Sequence, residues 1–210
     1  GTICEEVGYL DSPEKIRLIP GAGEAIRLLN ENGIKAVMVT NQSGVGRGYF
    51  TLAEVEKVND HIAREFARQG VAFQKIYIAP EAPDQPSRGR KPSPQFLFDA
   101  RDEFGLDLAQ SYMVGDKLID LECGWNAGVH QSILVRTGYG AAVEKLAGGA
   151  IPGAVIVDSV REVLDIAESE LRKVSVDDLR RGLAATIACR AAIKINTRLD
   201  EKKMDWLLRQ

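Results

Sequence analysis

Five short apolar runs, separated by longer amphipathic stretches, constrain this chain more than any other feature. The runs are 34–40 (IKAVMVT), 75–79 (KIYIA), 111–115 (SYMVG), 132–136 (SILVR) and 154–157 (AVIV). They are rich in β-branched residues and continuous rather than alternating, as strands are when both faces of a parallel sheet are covered. The spacing between them predicts helices over 21–32 after a Pro-Gly turn, 52–69 with Thr51 as N-cap, 94–104 with Ser93 as N-cap, and 119–127. Strand–helix alternation of this kind gives an α/β fold, a doubly wound parallel sheet with right-handed crossovers. Such sheets carry their sites at the carboxyl ends of the strands. The loops after Thr40, Ala79 and Gly115 are therefore the places to look, and 80–92 (PEAPDQPSRGRKP) is a Pro-rich loop.

Composition narrows the class. Hydrophobic residues make up 45% and charged residues 27% of the 210, an ordinary globular balance. No apolar run approaches the roughly 20 residues of a membrane span, and no signal peptide opens the chain, so no membrane partner is expected. Cys4, Cys123 and Cys189 form no CxxC pair or disulfide framework, which favours a reducing, cytoplasmic setting. Residues 1–170 carry 17 basic and 25 acidic side chains, so this body is a poor nucleic-acid binder. Residues 175–210 read as a helical tail: Leu179, Leu183, Ile187, Ala191 and Ile195 recur every fourth residue, and Asp200 can cap a last helix. Two domains are expected, 1–170 and 175–210.

Three strand-end clusters carry chemistry. Thr40-Asn41-Gln42-Ser43-Gly44-Val45-Gly46-Arg47-Gly48 offers a hydroxyl, amides and glycine-exposed backbone N–H groups to phosphate oxygens, or is simply a polar turn. It is not a Walker loop, because no Gly-Lys-Ser/Thr follows. Arg90-Lys91-Pro92 puts two cations at a loop end, where they could stabilise a transferring phosphoryl group or merely be solvated. Val114-Gly115-Asp116-Lys117-Leu118-Ile119-Asp120 sets a carboxylate at the end of a strand, suited to an octahedral Mg²⁺ or to helix capping. Asp120, one turn up the helix, would brace that loop. His61 and His130 have no partners at ligand spacing, and Cys123 reads as a packed thiol.

The order of these clusters resembles motifs two, three and four of the haloacid-dehalogenase (HAD) superfamily of phosphatases. Gly1-Thr2-Ile3 resembles the tail of motif one, Asp-x-Asp-Gly-Thr. With Glu6-Val7-Gly8-Tyr9 and Ile19-Pro20-Gly21, the set is similar to the branch acting on D-glycero-D-manno-heptose 1,7-bisphosphate or on histidinol phosphate. The resemblance covers about residues 1–170. It implies a capless HAD-like Rossmannoid body and a Mg²⁺-dependent attack of an Asp on phosphorus. Thr40 and Lys91 would then stabilise the phosphoryl group, and Asp116 would hold Mg²⁺. Arg90 would recognise the substrate, a small-molecule sugar phosphate. Glu6, Val7, Gly8, Tyr9, Asn41, Gln42 and Ser43 would line the sugar site, with Lys117 beside it.

Two departures accompany the resemblance. The motif-one aspartates would stand just upstream of Gly1, so the chain is expected to be truncated and inactive as it stands, or to serve as a non-catalytic binding or assembly domain. Neither Asp11 nor Glu5 is placed to replace them. The central strand that carries them would be missing too, leaving unpaired strand edges through which, as through the tail, the chain could self-associate. The zinc loop of many members, Cys-x-His and Cys-x-Cys, reads Ala79, Glu81, Ser87 and Gly89 here, so no zinc is expected. The tail segment 183–194 (LAATIACRAAIK) resembles a fragment of the C-terminal domain of the mismatch-repair protein MutL, without its metal motifs.

Overall fold

All five apolar runs form strands in the computed structural model, which describes residues 1–9 and 12–173. They are β1 (Ala36–Asn41), β2 (Phe73–Ala79), β3 (Tyr112–Gly115), β4 (Gln131–Val135) and β5 (Ala154–Val157). The tail over 175–210, its mismatch-repair likeness and Asp11 lie outside the described residues. β1 starts two residues later than the spacing predicts. Ile34 is still tied to the preceding helix: its N–H donates to the Leu29 carbonyl at 3.0 Å and its carbonyl accepts from Asn30 Nδ2 at 2.9 Å.

The helices are α1 (Ala22–Glu31), α2 (Ser43–Gly46), α3 (Leu52–Ala67), α4 (Gln95–Phe104), α5 (Leu118–Ala127), α6 (Gly140–Leu146) and α7 (Glu162–Lys173). Thr51 caps α3 in a capping box, its Oγ1 accepting from Glu54 N while Glu54 Oε2 accepts from Thr51 N at 2.7 Å. α4 opens at Gln95, and Pro94 before it, which supplies no side-chain cap, already holds helical angles (φ −81°, ψ 0°). Ser93 Oγ still accepts from Gln95 N at 3.3 Å. The short α2 was hidden among glycines, the short α6 lies between the runs at 132–136 and 154–157, and α7 follows the last of them.

The strands form two parallel half-sheets, β1–β2 and β3–β4–β5, with no ladder between β1 and β3. Side chains nevertheless bridge that interruption. On one face Ala36 and Met38 of β1 pack with Tyr112 and Val114 of β3 beneath α1, α3 and α7. On the other, Val39 and Met113 share a cluster with Leu97 and Cys123. Exposure follows the ladder: Ser132–Val135 of β4 are buried, whereas every residue of β1 is only half-buried, as an open edge leaves it. The expected doubly wound α/β architecture is therefore present, with its ladder broken between β1 and β3. Residues 3–5 cross this end of the molecule against 17–19, through Ile19 N to Ile3 O at 3.0 Å and Glu5 N to Arg17 O at 2.8 Å. No described helix is long and apolar enough to cross a membrane.

Candidate active site

The parallel strands point their carboxyl ends the same way, which brings residues distant in sequence to one rim. Lys91 is fixed there at four points. Asn41, at the end of β1, accepts from Lys91 N at 3.0 Å and donates through Nδ2 to Lys91 O at 3.1 Å. Lys91 Nζ donates to the Val39 carbonyl at 2.8 Å and stands 2.7 Å from Asp120 Oδ1. Both side chains are largely withdrawn from water, 13% and 5% exposed, so the pair is a desolvated one. Asp120 Oδ2 also accepts from Lys117 N at 3.0 Å, so this carboxylate both caps α5 and braces Lys91. Thr40 Oγ1 accepts from Gln42 Nε2 at 3.2 Å, and Ser43 opens α2 directly beyond.

Asp116 occupies the end of β3 and is only 5% exposed. Thr2 Oγ1 donates to its Oδ1 at 3.2 Å and Tyr139 N donates to its Oδ2 at 3.1 Å. Gly138, at φ +59°, lets the loop after β4 approach this closely, since a Cβ there would stand 2.4 Å from Asp116 Oδ2. The Gly1-Thr2 corner is thereby placed on Asp116. A carboxylate with two donors and lone pairs to spare can contribute one oxygen to Mg²⁺, which takes few protein ligands and completes its shell with water and phosphate. Asp116 fits that part, whereas Asp120 is committed to Lys91. Among the described residues, no three His, Cys, Asp or Glu side chains gather as a metal cage.

A polar and aromatic rim surrounds these groups. Lys117 Nζ lies 3.4 Å from Glu6 Oε2 and 4.5 Å from the centre of the Tyr139 ring. Glu6 Oε1 accepts from Gly8 N at 2.8 Å, which curls 6–8 into a turn with Gly8 at φ +75°. Val7 and Tyr9 are exposed, and the Tyr9 ring meets Tyr49 and Phe50 edge-on at 5.1 and 5.9 Å. In the Pro-rich loop, Ser87 Oγ donates to Glu81 Oε2 at 2.6 Å and accepts from Arg90 N at 3.2 Å, while Arg90 Nη1 donates to the Glu81 carbonyl at 3.0 Å. A hydrogen-bonded clasp thus closes the segment that carries Glu81, Ser87 and Arg90. Cys123 is buried, and burial pushes its thiol up to about 11.

The structure brings Thr40, Asn41, Lys91, Asp116 and Lys117 to the strand ends and sets Glu6, Val7, Gly8 and Tyr9 at their rim. Reading from sequence missed three contributors: Thr2, the backbone of Tyr139, and the Glu81–Ser87 pair. Tyr139 could have been sought by extending the strand-end rule to the loop after β4, and Thr2 by following the Gly1-Thr2-Ile3 resemblance to the same site. The third has no sequence signal.

A family model described as HAD-hydrolase-like matches residues 89–163. The D-glycero-D-manno-heptose-1,7-bisphosphate 7-phosphatase of Chlorobaculum tepidum is 41% identical over 152 residues, 66% of this chain and 76% of the relative. The corresponding enzyme of Escherichia coli K12 is 39% identical over 145 residues, again 66% of this chain and 76% of the relative. Among solved structures, the D,D-heptose 1,7-bisphosphate phosphatase of B. bronchiseptica, complexed with magnesium and phosphate, matches with a TM-score of 0.74 at 30% identity. That match covers 81% of this chain and 94% of the solved one. None of these likenesses supports the mismatch-repair reading of the tail. Identity at this level over three quarters of the relatives' length is decisive: this chain belongs to the HAD-like family of D-glycero-D-manno-heptose-1,7-bisphosphate 7-phosphatases.

Proposed function

We propose that this chain is the body of a cytoplasmic, Mg²⁺-dependent phosphatase that takes D-glycero-D-manno-heptose 1,7-bisphosphate and acts on its 7-phosphate. The observation that carries the reading is the four-point fixation of Lys91 beside Asp120, one turn from Asp116. An ammonium held in a dry setting stabilises the charge of a transferring phosphoryl group without reorganising. Thr40 supplies a hydroxyl to the same oxygens, and Arg90 and Lys117 meet the substrate at the rim. Mg²⁺, when bound through Asp116, would neutralise phosphate charge. Glu6, Val7, Gly8, Tyr9, Gln42 and Ser43 line the sugar, while Asn41 acts through Lys91.

A covalent step needs a carboxylate free to attack phosphorus. Asp116 is engaged by Thr2 and Tyr139, and Asp120 by Lys91 and the α5 backbone. We therefore assign binding to residues 1–210 and turnover to the same body joined at Gly1 to an Asp-x-Asp segment. With Asp116 turned to Mg²⁺ and Asp120 held by Lys91, a non-catalytic binding domain is the second reading. Calorimetric titration with heptose bisphosphate in the presence of Mg²⁺ tests the site itself. Residues 1–210 should bind, and Lys91→Ala and Asp116→Asn should each weaken binding about tenfold or more, as loss of a charge-assisted contact does. Unchanged affinity in both variants would remove the site from these residues.

A further inference from the structure

The loop after β4 reaches Asp116 at its tip and is tied down at its base. At the tip, Tyr139 N donates to Asp116 Oδ2 at 3.1 Å, and Gly138 packs so closely that a Cβ there would collide with the same oxygen. At the base, Arg136 N donates to Val157 O at 2.9 Å, and the Arg136 carbonyl accepts from Ala141 N at 3.1 Å. Between them the Thr137 carbonyl accepts from Gly140 N at 3.0 Å. The turn 137–139 is short and tightly bonded, so a shift at its base is felt at its tip.

What holds the turn is the helix that follows it. α6 has seven residues, and Tyr139 before it supplies no side-chain cap. A helix this short does not persist by itself in water. Arg136 fastens it. Its guanidinium takes Glu144 of α6 through two parallel hydrogen bonds, Nε to Oε2 at 2.6 Å and Nη2 to Oε1 at 2.8 Å, while Nη1 donates to Asp158 Oδ1 at 2.6 Å. The fork to Glu144 fixes direction as well as distance, which a single contact does not. The Glu144 side chain is 19% exposed and that of Asp158 is 78% exposed, so water screens the second pair far more than the first. Arg136 and Glu144 thus close a loop around the turn, and within that loop Tyr139 presents its N–H to Asp116.

We propose that Arg136 and Glu144 are positioning residues for Asp116: their fork holds the 137–139 turn, and the turn holds the carboxylate in place for a divalent cation. This rests on the reading that Asp116 holds Mg²⁺. A carboxylate already aimed by a fixed donor gives up little freedom when a cation arrives, whereas one free to rotate must give it up on binding. Outer partners of a metal ligand are worth about 10–100-fold in metal affinity. Thr2 Oγ1 still holds Oδ1 when the turn is loosened, which puts the expected effect at the lower end of that range.

Mn²⁺ is the probe, titrated into the full chain and followed by the paramagnetic resonance of the free ion. Arg136→Ala and Glu144→Ala should each weaken Mn²⁺ binding about tenfold. Arg136→Lys, which keeps the charge and loses the fork, should recover only part of that loss. Asp158→Ala should change the affinity less than about twofold, as a screened surface pair does. Hydrogen exchange of the Tyr139 amide in metal-free protein should be faster in Arg136→Ala and Glu144→Ala than in wild type. Titrations run below the melting temperature of each variant keep unfolding apart from lost positioning, because a purely structural role would lower the melt and leave the affinity of the folded protein unchanged. Wild-type affinity in both alanine variants, or a Tyr139 amide that exchanges no faster, would overturn the positioning role while leaving Asp116 as the ligand. Wild-type protein that binds Mn²⁺ no better than Asp116→Asn would overturn both readings.

Discussion

Lys91 and Asp120 lie 29 residues apart in sequence and 2.7 Å apart in the fold, with both side chains largely withdrawn from water. Removing one member of a desolvated pair leaves the other charge unanswered, which typically costs about 3–5 kcal/mol. Asp120→Asn should therefore lower stability by that order in urea denaturation, whereas an exposed control such as Asp102→Asn should change it little. Asn41→Ala should cost about 1–3 kcal/mol, since it strips both hydrogen bonds from the Lys91 backbone. A third expectation concerns pH. Burial pushes Cys4 and Cys123 up to about 11 from 9.0, and burial beside Glu103 pushes Tyr77 up to about 12 from 10.0. Each folded group thus resists deprotonation more than its unfolded counterpart. Their stabilisation is full below about pH 9 and is lost as pH rises through 9 to 12, which melting scans across that range would follow. The residue types were legible in the sequence. The partnership of Asn41 with Lys91 was not, because a 50-residue separation closes only through the parallel pairing of β1 with β2.

At the scale of elements, the strands were the legible part because continuous β-branched runs admit few other readings. The helices α6 and α7 were not: α6 is short and has no capping side chain, and no strand follows α7 among the described residues. The interrupted ladder is the element-level fact with the largest consequence. β1 and β3 each present an edge of backbone N–H and C=O groups without a strand partner among the described residues. Such edges invite pairing with another chain. We expect concentration-dependent self-association of residues 1–210, readable by sedimentation. An apolar strand joined upstream of Gly1 would lie between β1 and β3, bury the half-exposed side chains of β1, and raise the melting temperature. Burying one large apolar side chain is worth about 1.5–3 kcal/mol, so several would shift the melt by many degrees. Equal melting temperatures, with both proteins monomeric, would contradict this placement.

For the body as a whole, acidic side chains outnumber basic ones, and some of the cations stand at the strand ends and their rim. Residues 1–170 carry 25 acidic against 17 basic side chains, and Arg90, Lys91 and Lys117 lie at the strand ends and the rim described above. Attraction of a phosphate ester to the exposed cations among these should weaken as salt rises. The fold class and the family motifs could be read along the chain, because each motif sits at a strand end. The clasp of Arg90 by Glu81 and Ser87 could not, because those contacts close only when the Pro-rich loop folds back on itself. The central claim is that these strand ends form the phosphoryl-transfer site of a heptose bisphosphatase. It is tested most directly by phosphate release from D-glycero-D-manno-heptose 1,7-bisphosphate and from histidinol phosphate, with Mg²⁺, by this body joined at Gly1 to an Asp-x-Asp strand. We predict turnover of the bisphosphate that is much faster than that of histidinol phosphate, reduced at least about a hundredfold by Lys91→Ala and by Asp116→Asn. Turnover that survives both substitutions, or a preference for histidinol phosphate, would contradict the account.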